Sequence, residues 1–272
     1  MLKKTIGMGG FTLAEVLITL GIIGVVAAMT MPTLINSTQG AQYKTAYKKA
    51  LSVMSQAVVM NIALEDYDLS QVVAGTNTTA ADASGDDDDD DDGSTVGGAQ
   101  SLYDLFKNRM NVVKVASTND FQGDTQGETD FYKIINVDAA DKSDYTAFAT
   151  LHGGNGGNTF PVLASGGKWP ADLTMLFFND GITFIFDNTQ ANCAAATSTT
   201  DDHYCYGFID VNGQKAPNRL VACDTGSLDT TDSGKDDGAC TVTNPTDIYP
   251  VFLYDQSIIP AAAAARAVLY AK

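Results

Sequence analysis

Positive charge is scarce in this chain: 16 Lys and Arg stand against 33 Asp and Glu in 272 residues, a net charge of −17. Phosphate recognition needs clustered cations, so nucleic acid is excluded as a partner class. The spacings of common active sites are missing as well. There is no Gly-rich phosphate loop after a strand, no G-x-S-x-G and no H-E-x-x-H. The two histidines, His152 and His203, stand far apart, and an enzyme is not expected. His203 follows Asp201 and Asp202, a trio that could ligate a metal but that reads more simply as a polar loop between cysteines.

Cysteine is also sparing. Four residues fall in two close pairs, Cys193 with Cys205 and Cys223 with Cys240. Neither pair has the C-x-x-C spacing or the flanking His of a zinc site, so two local disulfides in an oxidising compartment are the better reading. Sequence leaves the other pairings open. With 44% hydrophobic residues, the chain can bury a real core and is not a disordered protein.

The apolar residues are distributed unevenly. Residues 1–10, MLKKTIGMGG, carry two lysines and have no apolar core, whereas Phe11 to Met31 is long enough to cross a ~30 Å hydrocarbon layer as a helix. The lysines, Lys3 and Lys4, predict that this first segment stays cytoplasmic and that the chain after Pro32 is exported. Only Glu15 breaks the apolar run. A carboxylate inside a membrane helix costs roughly 2.5 to 3.5 kcal/mol at mid-bilayer, so it needs a partner. A cut between Gly10 and Phe11 would create an ammonium on Phe11 that can neutralise Glu15 of a neighbouring copy, a pairing that a monomer leaves unmade.

Gly10, Phe11, Thr12, Leu13, Glu15 and the apolar run after them resemble the signal of type IV prepilins and type II secretion pseudopilins. The resemblance implies a membrane peptidase that cuts after Gly10 and methylates Phe11. It also implies an assembly role for Glu15 and Phe11, and for Pro32, which sits where family members often kink this helix. The implied partners are copies of the chain, other pilin-like subunits, the prepilin peptidase, an inner-membrane assembly platform and membrane lipid. The implied location is a single-pass inner-membrane protein with its head outside the cytoplasm, passing into a periplasmic or extracellular filament. The alternative is a membrane-anchored or secreted binding protein, with a general signal peptide whose apolar part is Val16 to Val26 and whose cleavage lies near Ala28, or with a plain anchor. Both leave Glu15 unexplained, and a Glu at the front of the apolar part is wrong for a signal peptide.

Beyond residues 11–32, Tyr43, Tyr47, Leu51, Met54, Val58 and Ile62 recur at helical spacing and predict an amphipathic continuation over residues 33–70. Residues 71–100 read as a disordered acidic loop around the run from Asp86 to Asp92, which repels itself and cannot pack. Ser101 is expected to cap a second helix that runs to about Val115 with Leu102, Leu105, Phe106, Met110 and Val113 on one face. Strands are expected at Leu173–Phe178 and Ile182–Phe186 around the turn residues Asn179, Asp180 and Gly181, then at Tyr206–Val211 and Tyr249–Tyr254, with Ile258 and Ile259 as a short partner.

The predicted fold class is therefore α+β: a long N-terminal helix packed on an antiparallel sheet, in a pilin-like head over residues 101–272. Residues 208–218, FIDVNGQKAPN, also resemble a stretch in the heads of many prepilin-like proteins. Leu220 to Asp247 looks like an insertion closed by Cys223 and Cys240, and Ala261 to Leu269 like a terminal helix. Asp210, Asn212 and Gly213 open a calcium-loop pattern whose remainder is missing; a turn between strands accounts for the same residues. No other cofactor is expected.

Overall fold

The computed structural model describes residues 12–76, 100–117, 173–195, 204–213, 215, 217–224 and 240–270. The acidic run, both histidines, Gly10 and Phe11 lie outside them. The described chain is α+β, with one long helix, an antiparallel sheet and two short helices.

Helix α1 spans Leu13–Glu65, 53 residues, and so is ~80 Å long at 1.5 Å per residue. It runs through Pro32, whose side chain lies outside the described residues. Its second half behaves as the periodicity predicts. Tyr47, Leu51, Met54 and Val58 are buried, and Tyr43 and Ile62 pack against them at the edges. The helix ends at Asp66, which takes a left-handed φ of 54° while its N–H bonds Ile62 O at 3.0 Å. Helix α2 (Leu102–Arg109) starts at Ser101, which forms a reciprocal capping box with Asp104.

Six strands follow: β1 (Val112–Ser117), β2 (Thr174–Phe178), β3 (Thr183–Phe186), β4 (Cys205–Asp210), β5 (Ile248–Tyr254) and β6 (Ser257–Pro260). They form one antiparallel sheet in chain order, each strand beside its sequence neighbour. The β2–β3 hairpin turns at Asn179 and Asp180, where Gly181 N–H bonds Phe178 O and the Asp180 carboxylate accepts from Ile182 N.

The expected helix to Val115 is corrected. It stops at Arg109, Met110 is extended (φ −124°, ψ 153°), and the β-branched run Val112, Val113 and Val115 joins the sheet instead. Val113, expected on the apolar helix face, is exposed.

The core lies between α1, α2 and the sheet. Tyr47 stacks on Tyr249 at 3.9 Å, and Phe106 meets Phe184 edge-on at 5.1 Å. The C-terminal helix α3 (Ala263–Tyr270) buries Ala263, Ala264, Ala265 and Val268, small residues that let it lie close to the core.

Candidate functional site

The first turn of α1 is built by two residues, Thr12 and Glu15. Thr12 accepts from Glu15 N at 3.3 Å, and Glu15 Oε2 accepts from both the Thr12 N–H and the Thr12 hydroxyl, each at 2.8 Å. This capping box satisfies orphan donors that every helix start leaves. The expectation for Glu15 concerns a partner for its charge. Its oxygen is hydrogen-bonded within the chain, but no cation within the described residues neutralises its charge.

Beyond this turn, Leu13–Met31 is a helix long and apolar enough to cross a membrane. Its large side chains are bare, from Leu13 at 78% exposed to Met29 at 73%. The hydroxyls inside it fold back on the helix: Thr19 Oγ1 donates to Glu15 O and Val16 O, and Thr30 Oγ1 to Val26 O at 3.0 Å. Glu15 is thus the one charge in a segment whose other polar groups are satisfied internally. Membrane and aqueous surroundings make opposite demands on these residues, and exposed apolar surface of this extent calls for lipid or protein cover.

The helix meets the head at the β4–β5 connection. A Cβ on Gly40 would lie 3.1 Å from Pro245 Cδ, so glycine permits this close approach. One and two turns further on, Tyr43 and Tyr47 face the same connection and strand β5. Burial raises the pKa of the Tyr43 hydroxyl, and the carboxylates of Asp247 and Asp210 raise it further. The same two influences, burial first and then Asp247, push up the Tyr249 hydroxyl.

Asp210 and Asn212 are brought together in this connection with Asp247 and Asn218. Asp210 Oδ1 accepts from Asn212 N and Gly213 N, both at 2.9 Å. Gly213 has φ 64°, the left-handed conformation that the turn requires, and a Cβ there would lie only 2.9 Å from Gly181 O. Asp247 accepts from Asn218 N at 2.8 Å and Arg219 N at 2.7 Å. Asn212 Nδ2 donates to Lys215 O, and the Asn218 amide, oriented to donate, reaches Gly213 O at 3.1 Å and Lys215 O at 2.8 Å. Both carboxylates are fully buried and occupied by backbone N–H groups, which accounts for the residue types of the segment as loop chemistry. Among the described residues no three His, Cys, Asp or Glu are grouped as metal ligands.

Two disulfides, Cys193–Cys205 and Cys223–Cys240, join the close pairs of the sequence. The first is buried and fastens the β3–β4 connection, where Cys193 N also bonds Leu69 O at 3.0 Å. The second closes the insertion, with Asp224 N bonding Thr241 O beside it.

No family model, curated protein or solved structure matches this chain. The site therefore rests on its own residues. Sequence reasoning placed Thr12 in the signal but missed its capping role, which the T-x-x-E spacing before an apolar run announces. It also missed Asp247, which lies 29 residues from the Asn218 N–H that it binds and has no local signature.

Proposed function

We propose that this protein is a structural subunit that is held in a membrane by the first half of α1 and polymerises through that helix into a filament, a type IV pilus or a type II secretion pseudopilus. In this reading a prepilin peptidase cuts between Gly10 and Phe11, and the new Phe11 ammonium of one copy pairs with Glu15 of the next. The head, α1 packed on its antiparallel sheet, faces outward.

One observation carries the reading. Glu15 stands alone as a charge in the bare apolar half of α1, and among the described residues its side chain bonds only the uncharged Thr12. A hydrogen bond lowers the cost of burying a carboxylate but leaves its charge, which a cation from a second copy would neutralise. The capped helix start supports the reading further, because it fixes Glu15 in the first turn of α1 against Thr12.

The deciding experiment is the intact mass and N-terminal peptide of the protein recovered from its own membrane. A chain that begins at methylated Phe11 is expected. A start near Met29 would replace the reading with a secreted protein, and an uncut Met1 with an anchored one.

A further inference from the structure

The turn after β4 holds an Asn-Gly pair, Asn212–Gly213. Asparagine before glycine is chemically unstable. The glycine backbone nitrogen attacks the asparagine Cγ, a new C–N bond closes a succinimide ring, and ammonia leaves with the proton of the attacking N–H. Water then opens the ring to aspartate or to its β-linked isomer. Glycine permits the attack because no Cβ hinders it. The nitrogen must be able to give up its proton and to swing onto the neighbouring side chain. In the folded head both partners of this reaction are held. Gly213 N–H donates to Asp210 Oδ1 at 2.9 Å, and the negative charge of that fully buried carboxylate opposes loss of the proton. Asn212 N is tied to the same oxygen at 2.9 Å. The amide that would leave donates from Nδ2 to Lys215 O at 2.9 Å and lies 3.4 Å from Asp247 Oδ2. Asn212 itself is partly exposed, so water reaches it.

We infer that Asn212 is a latent deamidation site, closed by Asp210 while the head is folded and open when it unfolds, and that its modification makes unfolding one-way. The inference is independent of the filament reading. Its product is a carboxylate at position 212. In the folded head that group would face two acceptors to which the amide is now turned, Lys215 O and Asp247 Oδ2. The donated bond is lost, and a third negative charge joins two buried carboxylates. The β-linked isomer also lengthens the backbone between β4 and the Asn218 and Arg219 N–H groups that Asp247 binds. A head that has unfolded and reacted therefore cannot rebuild this connection, and the chain is lost to the folded pool.

The test uses the detergent-solubilised full chain with both disulfides intact, incubated at mildly alkaline pH either folded or in urea. Peptide mass mapping reads aspartate and isoaspartate at residue 212. The chain's other Asn-Gly pair, Asn155–Gly156, gives the unfolded-chain rate in the same urea sample. In urea, residue 212 is expected to react as fast as residue 155. In the folded chain it is expected to react roughly tenfold or more slowly, because a hydrogen bond to a charged acceptor must break before the attack. Asp210→Asn keeps an acceptor and removes the charge, and Asp210→Glu keeps the charge and moves the oxygen. Whichever of the two melts cooperatively is expected to raise the folded rate several-fold. Asn212→Asp, which carries the product's charge from the start, is expected to refold from urea to a much smaller fraction than the wild type, followed by near-ultraviolet circular dichroism. Equal rates at residue 212 in the folded and unfolded wild type overturn the latent site. Unchanged protection in a folded Asp210 variant overturns the role of Asp210, and wild-type refolding of Asn212→Asp overturns the one-way step.

Discussion

Thr12 gives both its backbone N–H and its hydroxyl to a single oxygen of Glu15. Two properties of Glu15 are therefore superimposed, its capping of the helix start and its charge. Gln serves equally at the third position of a capping box, so Glu15→Gln removes the charge and keeps the cap. Thr12→Ala does the opposite. Its expected cost is about 1 kcal/mol of helix-start stability, with the carboxylate still ionised.

Glu15→Gln is expected to abolish filament assembly while the protein stays in the membrane with both disulfides formed. Thr12→Ala should assemble at reduced yield. Counting filaments beside membrane-fraction immunoblots checks both. Normal assembly of Glu15→Gln would defeat the charge pairing, and loss of assembly in Thr12→Ala alone would move the function from the charge to the cap.

The regularly patterned parts of this fold were legible in the sequence. The stripe from Tyr43 to Ile62, the turn at Asn179 to Gly181, the strands at Tyr206 and Tyr249, and the cap at Ser101 all express local rules, period and turn chemistry, and each lies where those rules put it. Val112 to Val115 was misread because Met110 and Val113 continue a helical spacing from Leu105. Pairing with β2 outweighed that spacing, as happens when β-branched residues find a sheet edge. The alanines of α3 gave no sign of a role, yet they are buried, because smallness is useful only against a surface that the sequence does not display. The Asp247 network was invisible for the same reason: its donors are far away in the chain.

Asp247 gives a pH signature. Burial raises its pKa above the ordinary 3.8, outweighing the Arg219 and Asn218 N–H groups that lower it. A carboxyl with a raised folded pKa holds its proton better in the folded chain. Its contribution to stability is therefore fully present below 3.8 and is lost as pH rises through the folded value. Urea denaturation of the wild type and Asp247→Asn across this window should show the difference between them growing with pH in favour of Asn. An unchanging difference would mean that Asp247 is not desolvated. Asp247→Ala, which strands two backbone donors, should cost about 1–3 kcal/mol at neutral pH.

Arg109 fixes α2 to the end of α1. Its Nε donates to Asn61 Oδ1 at 3.1 Å and its terminal nitrogen to Glu65 at 2.6 Å. Asn61 is fully buried, and its other bond goes to Tyr67 O. Arg109→Met is therefore expected to cost about 1–2 kcal/mol, most of it for the orphaned Asn61 oxygen. Glu65→Gln keeps an acceptor for the largely buried guanidinium and should cost less than Arg109→Met. Equal losses in the two variants, measured by thermal melting, would assign the stability to the ion pair instead.

The acidic tract is fastened at both ends by the folded head. The Tyr67 hydroxyl bonds Gln71 O on one side and accepts from Gln100 N at 2.9 Å on the other, while Val73 N reaches Gln100 O at 3.1 Å. Asn188 then holds Gly75, Thr76 and Tyr103. These contacts among the described residues bring the two flanks of the tract together. Closure entropy grows only slowly with loop length, and a shorter loop costs less to close. Removing the run from Asp86 to Asp92 also relieves self-repulsion. Replacing residues 78–98 with a short Gly-Ser linker is accordingly expected to leave the thermal midpoint unchanged or slightly raised. Tyr67→Phe, which leaves the tract whole but unfastens its base, should lower stability by about 1–2 kcal/mol. A replacement that melted several degrees lower would show that the acidic tract itself packs on the head, and the fastening by Tyr67 would then be only one part of what holds it.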